Sequence, residues 1–272
     1  MPTPIQHDRS VLLAHFESFR TEIDDYNDRR ERLIKASRDI TNLSKKVIFL
    51  LHRIALENDD TSYARAAKRG FAKLCEVQNI YAGLSHELAG DRYWRYQRQV
   101  SPGLQEYIEA LSFAHYLQHG TLISFQTVQR SLSSPDGVPY FSLTVSDYLL
   151  GLSDLTGELM RFAISGLSSH KGGRAKATQV CAFVRACKAD FEHYTPFVPD
   201  LRKKQAITSQ SLEKIEDAAY TIVVRSSEYD LPPEILDDIV AQSISRFSDR
   251  SQKHARGFED GLGEDDAQEG PC

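Results

Sequence analysis

The stretch Asp8–Glu57, DRSVLLAHFESFRTEIDDYNDRRERLIKASRDITNLSKKVIFLLHRIALE, contains neither proline nor glycine. Apolar side chains, with His15 among them, recur along it at helical spacing: Val11, Leu12, His15, Phe16, Phe19, Ile23 and Tyr26, then Leu33, Ile34, Ile40, Val47, Phe49, Leu50, Leu51 and Ile54. One or two very long helices are predicted. The polar cluster Asn58-Asp59-Asp60-Thr61 breaks the pattern, and a second helix is predicted over 62–88, ended by Gly90 with Asp91 as the next cap.

Working outward, Tyr93–Val100 continues helically, and Ser101-Pro102 reads as a restart, with proline near a first helical position. Residues 103–118 form a helix apolar on several sides, and a short helix lies within 120–132. The run Ser133–Pro139 is a loop, with 140–144 extended. Ser146 reads as the cap of a helix reaching about 165, and Lys171-Gly172-Gly173 as a flexible joint. Helices follow over 175–193, 201–229 and 234–247, with prolines 196, 199, 232 and 233 at the breaks. Beyond about 250 the chain turns acidic and apolar-poor, as a disordered tail does. The expectation is all-α: one helical domain over 1–250 and a tail over 251–272.

Composition agrees. Of 272 residues 41% are hydrophobic, enough for a large core, while only 10 prolines and 15 glycines interrupt the chain. Net charge is −5, so nucleic-acid binding through overall charge is excluded and any such binding requires a local patch. The four cysteines have no CxxC spacing, which argues against a zinc cage and suits reduced thiols. No apolar run reaches membrane-spanning length, and the expected location is cytoplasmic and nuclear.

Two helices carry acidic pairs at face-sharing spacing: Glu106 with Glu109, and Asp154 with Glu158. The first helix is apolar on both sides (Leu104, Ile108 and Leu111 against Phe113, Tyr116 and Leu117), so its acids belong in a buried environment. Buried carboxylates must pair, neutralise or bind a cation. The residues alone leave open a buried ion pair or a functional site. Asp154 and Glu158 share a stripe with Asp147 and Arg161 that, taken alone, reads as a solvated face. Four carboxylates together would make an oxygen-only site suited to magnesium or manganese. No Glu-x-x-His accompanies them, which argues against a di-iron oxidoreductase, and His115 reads as a packing residue. The segment 29–53 is locally basic, and Trp94, Tyr93 and Tyr96 read as core or interface aromatics.

At these residues the chain resembles the translin family. The blocks are Ser37-Arg38-Asp39-Ile40-Thr41 with Ser44-Lys45-Lys46 and Ile48–Arg53, then Gly103–Ala110, then Asp147–Gly151 with Asp154–Arg161, and Leu212–Tyr220. They are similar to the family's translin-associated factor X (TRAX) branch rather than to translin itself. The resemblance implies an all-helical bundle of about seven helices with very long N-terminal ones. It implies assembly with translin into a hollow hetero-octamer enclosing single-stranded RNA. It implies an endoribonuclease site in this subunit, at Glu106, Glu109, Asp154 and Glu158, using Mg2+ or Mn2+. It also makes Arg38, Lys45 and Lys46 candidate RNA contacts. The substrates it suggests are small-RNA or tRNA-derived fragments. The rival expectation is a non-catalytic helical RNA-binding scaffold partner of translin.

Overall fold

The computed structural model describes residues 9–57, 59, 61–166 and 173–228, with isolated positions 235, 238 and 242 beyond. Among them lie seven helices and no strand, as the sequence predicts: α1 (Arg9–Ala55), α2 (Ser62–Leu88), α3 (Arg92–His119), α4 (Phe125–Ser131), α5 (Val145–Gly166), α6 (Gly173–Tyr194) and α7 (Leu201–Glu228). The Lys171-Gly172 part of the expected joint, the acidic tail and most of the helix expected over 234–247 lie outside the described residues.

The chain divides into two compact units, Met1–Ala55 with Tyr63–Leu152, and Leu56–Ser62 with Ser153–Cys272. In the first, α1 packs along α3, and Leu33, Ile40, Val47, Leu51 and Ile54 of α1 are nearly inaccessible to solvent. Two glycines set the spacing of this unit. A Cβ at Gly103 would lie 2.7 Å from the Ser37 carbonyl oxygen of α1, and one at Gly151 would lie 2.7 Å from Ile108 Cβ. Buried Tyr107 ties the unit further, donating to Ser131 Oγ at 2.9 Å and accepting from Gln78 Nε2 at 2.9 Å. Burial pushes its hydroxyl up to about 12. In the second unit α6 packs on α7, with Val180, Val184, Ile215 and Ala218 buried.

Four local expectations are corrected. Pro102 does not restart a helix; it sits inside α3. Proline removes one donor from the helical ladder, and the next amide, Gly103 N–H, donates to Ser37 Oγ at 3.1 Å, so packing against α1 carries the helix through. Asp91 stands at the start of α3 without a side-chain capping bond. Ser146 is not the cap of α5. Thr144 is: its hydroxyl accepts from Asp147 N–H at 3.0 Å, the N-cap bond, and donates to Asp147 Oδ2 at 2.7 Å. Residues 140–144 are irregular rather than a strand, and a single bridge, Ser133 to Pro139, closes the loop before them.

Candidate carboxylate and basic sites

Glu106 and Glu109 lie one turn apart on α3, just past the Gly103 approach to α1. Glu109 is 8% exposed. Glu106 is half-buried and its Oε1 stands 3.3 Å from Lys45 Nζ, which α1 delivers two turns beyond Ser37. The expectation that this helix buries its acids holds. Lys45, grouped by sequence with the RNA contacts, is a partner of the acidic pair.

In the second unit, Asp154 forms an ion pair with Lys204 of α7, and Glu158 stands 3.3 Å from Arg161 of its own helix. The solvated-stripe reading is overturned for Asp147 and Glu158, while Asp154 stays partly and Arg161 largely exposed. Glu158 retains 12% side-chain exposure, Asp154 34%, and Asp147, placed on the same stripe by its spacing, is 2% exposed. Burial raises the Asp154 carboxyl pKa; the Lys204 ammonium opposes that shift and the neighbouring Glu158 charge adds to it. Lys204 is fifty residues away in sequence, so no local pattern could have revealed the pairing.

Asp147 is a further residue that spacing misassigned. Its carboxylate is buried and takes hydrogen bonds from Gln105 Nε2 at 3.0 Å, Thr144 Oγ1 at 2.7 Å and Tyr93 O–H at 3.4 Å. The Gln105 bond fixes the residue next to Glu106. Tyr93 itself is buried and stacked on Phe141, with ring centroids 4.9 Å apart, and Tyr96 is buried against Tyr26, whereas Trp94 stays largely exposed. His115 is half-buried, with Nε2 3.3 Å from Thr121 Oγ1, and burial foremost, then His119, lowers its pKa.

The basic segment divides by role. Arg32 makes a forked pair with Glu87 at 3.0–3.2 Å, Arg29 stands 3.9 Å from the same carboxylate, and Arg30 meets Glu31 at 2.9 Å. Arg38 and Lys46 are exposed. Arg38, with Arg30, Asn42, Arg98, Gln99 and Pro102, lines a cleft of about 560 Å³ between α1 and α3. Gln99 Oε1 is buried there without a hydrogen-bond partner. Arg98 and Gln99 lie on a different helix from the basic segment and were missed by sequence reading.

Among the described residues no three His, Cys, Asp or Glu side chains gather as a ready-made metal cage, and no helix is long and apolar enough to cross a membrane.

Comparison with known proteins completes the description. Residues 28–226 match the family model "Translin family". A rat protein, translin-associated protein X, is 36% identical over 249 residues, covering 84% of this chain and 83% of its own length. Human translin is 23% identical over 202 residues, covering 73% and 86% respectively. The crystal structure of apo-NeC3PO shares the fold, with a TM-score of 0.57 at 22% identity, over 74% of this chain and 92% of that one. With the family model spanning most of the described helices and the rat relative aligned over most of both chains, this chain belongs to the translin family.

Proposed function

We propose that this chain is the catalytic subunit of a metal-dependent endoribonuclease that works in a hetero-oligomer with translin and cuts single-stranded RNA. The observation that carries the reading is a carboxylate pair on a buried helix, Glu106 and Glu109, in the same unit as a cleft lined by Arg30, Arg38 and Arg98. A scaffold helix has little reason to bury acids at adjacent turns. The similarity to a protein named for association with translin supports the partner.

Carboxylate oxygens are the donors a hard divalent ion takes, and the pair Glu106 and Glu109 offers them on one helix, with no third His, Cys, Asp or Glu gathered beside it among the described residues. All four candidate ligands are carboxylates, and Lys45 pairs with Glu106 and Lys204 with Asp154. Glu106 and Glu109 of the first unit would hold Mg2+ or Mn2+, which when bound would supply an acidified water and neutralise phosphoryl charge; Asp154 and Glu158 form a second candidate carboxylate pair within the second unit. Arg38 and Arg98 bind backbone phosphates, a contact that needs clustered positive charge and no particular sequence. Water adds to phosphorus, the bond to the 3′ oxygen breaks, and that oxygen takes a proton, leaving a 3′-hydroxyl and a 5′-phosphate. Gln105, pinned by Asp147, keeps the turn carrying Glu106 in place.

The test is cleavage of a labelled single-stranded RNA by the complex with translin, with Mg2+ or Mn2+ and with chelator. Glu106→Gln and Glu109→Gln are each expected to abolish cutting while the complex still assembles. Retained cutting by either variant defeats the site assignment. A second reading, a non-catalytic scaffold, draws on the pairs Glu106–Lys45, Asp154–Lys204 and Glu158–Arg161, which satisfy three of the acids without any metal. Uncut RNA with unaltered binding in the wild-type complex would favour it.

A further inference from the structure

The N-terminal third of α1 carries an apolar stripe that nothing among the described residues covers. Leu12 is 46% exposed, Phe16 67%, Phe19 55% and Ile23 58%. They are spaced by alternating steps of four and three residues, and the same steps continue through Tyr26, Arg30, Leu33, Ser37, Ile40, Ser44, Val47, Leu51 and Ile54. That alternation is the seam of a coiled coil. From Leu33 onward every seam residue is buried against the chain's own bundle, where α1 packs along α3. α3 begins at Arg92, and its last layer against α1 is the stack of Tyr96 on Tyr26, 5.1 Å apart. Past Tyr26 the helix keeps the phase of the seam and has lost its partner. This arm also precedes the family match, which starts at residue 28.

The geometry points to a second copy of this chain as the partner, its arm lying antiparallel on the first. The stripe is self-complementary in that direction. Leu12 faces Ile23 of the other arm and Phe16 faces Phe19, so reversing the strands gives four consecutive layers with no polar residue in any of them. The flanking positions agree. His15 falls opposite Glu22 of the other arm, an imidazole N–H against a carboxylate, and the alkyl stem of Arg20 covers the other arm's exposed Leu13. Arg20 keeps Asp24 of its own helix as its charge partner, at 3.8 Å. A parallel pair would bring both bundles to the same end of the arms, where each seam is already occupied by its own α3. The antiparallel pair leaves them at opposite ends.

Cross-linking in the full chain, purified with its assembly partner and with Cys75 and Cys272 changed to serine, tests the arrangement. Chains carrying Leu12→Cys are mixed with differently tagged chains carrying Ile23→Cys under mild oxidation. The antiparallel arm predicts a disulfide between the two kinds of chain. It predicts none between two Leu12→Cys chains, whose positions would lie about 16 Å apart along the axis at 1.5 Å per residue, beyond disulfide reach. Phe16→Glu with Phe19→Glu, both on exposed positions, should abolish the cross-link while leaving helicity by circular dichroism unchanged. A disulfide between two Leu12→Cys chains would overturn the antiparallel pairing. Absence of any cross-link from intact, helical protein would overturn the second copy as occupant and leave the arm to a different protein.

Discussion

Replacing Gly103 with alanine should separate the two helices on which the first acidic pair depends. The added Cβ would meet the Ser37 carbonyl oxygen at 2.7 Å, Ser37 Oγ at 2.9 Å and Ser37 Cα at 3.1 Å. The first distance is roughly 0.7 Å inside ordinary contact, and two of the three atoms are backbone, which cannot swing aside. Overpacking of this kind costs about 1–3 kcal/mol. Alanine recovers about 0.5–1 kcal/mol of helix propensity, so the net loss is about 0–2.5 kcal/mol, centred near 1 kcal/mol, or a few °C in melting temperature for a chain of this size. Gly83, on α2 with nothing within 4 Å of a Cβ, is the matched control, and Gly83→Ala should stabilise by about 0.5–1 kcal/mol. Urea titration of both variants supplies the assay, and the informative quantity is the opposite sign. A Gly103→Ala protein as stable as Gly83→Ala would refute the view that this glycine sets the spacing of α1 and α3.

Asp147→Ala leaves the donors of Gln105, Thr144 and Tyr93 without their buried acceptor and should cost about 3 kcal/mol, against about 1 kcal/mol for Thr144→Ala, which removes the cap; urea midpoints rank the two. The Arg32 hydrogen bonds hold the Glu87 carboxyl below its ordinary 4.5, so that pair's stabilisation is present above pH 4.5 and is lost as pH falls through the folded value. The stability difference between wild type and Glu87→Gln should therefore shrink on acidification below pH 4.5, and a difference constant with pH would contradict the pairing. Burial pushes the Cys187 thiol up to about 11. At pH 8 about one thousandth of it is thiolate, so a thiol reagent should label exposed Cys75 well before Cys187, as peptide mapping by mass would show.

The long-range parts of the structure separate what the sequence made legible from what it did not. Uninterrupted apolar periodicity and the polar break at 58–61 were enough for α1 and for both ends of α2, because those signals are local. Pro102 misled because its cost is local while the compensation, Ser37 and the Gly103 approach, comes from a helix more than sixty residues earlier. The buried character of Glu106 and Glu109 was readable from apolar residues on both sides of one helix. The pairing of Asp154 was not, since Lys204 reaches it from α7. Thr144 was a legible cap that went unread: Thr-x-x-Asp before an apolar run is a capping pattern, and Ser146 drew attention from it.

The 47-residue continuity of α1 carries a consequence for how the chain can vary. A straight helix transmits azimuth, so the bearing of Phe16 and Phe19 is locked to that of Ile40 and Leu51. Losing one residue between Arg20 and Asn27 would swing the outer apolar side by about 100°. Losing seven would restore its bearing to within about 20° and shorten the rod by about 10 Å. Length differences among close relatives in this stretch should therefore come in sevens.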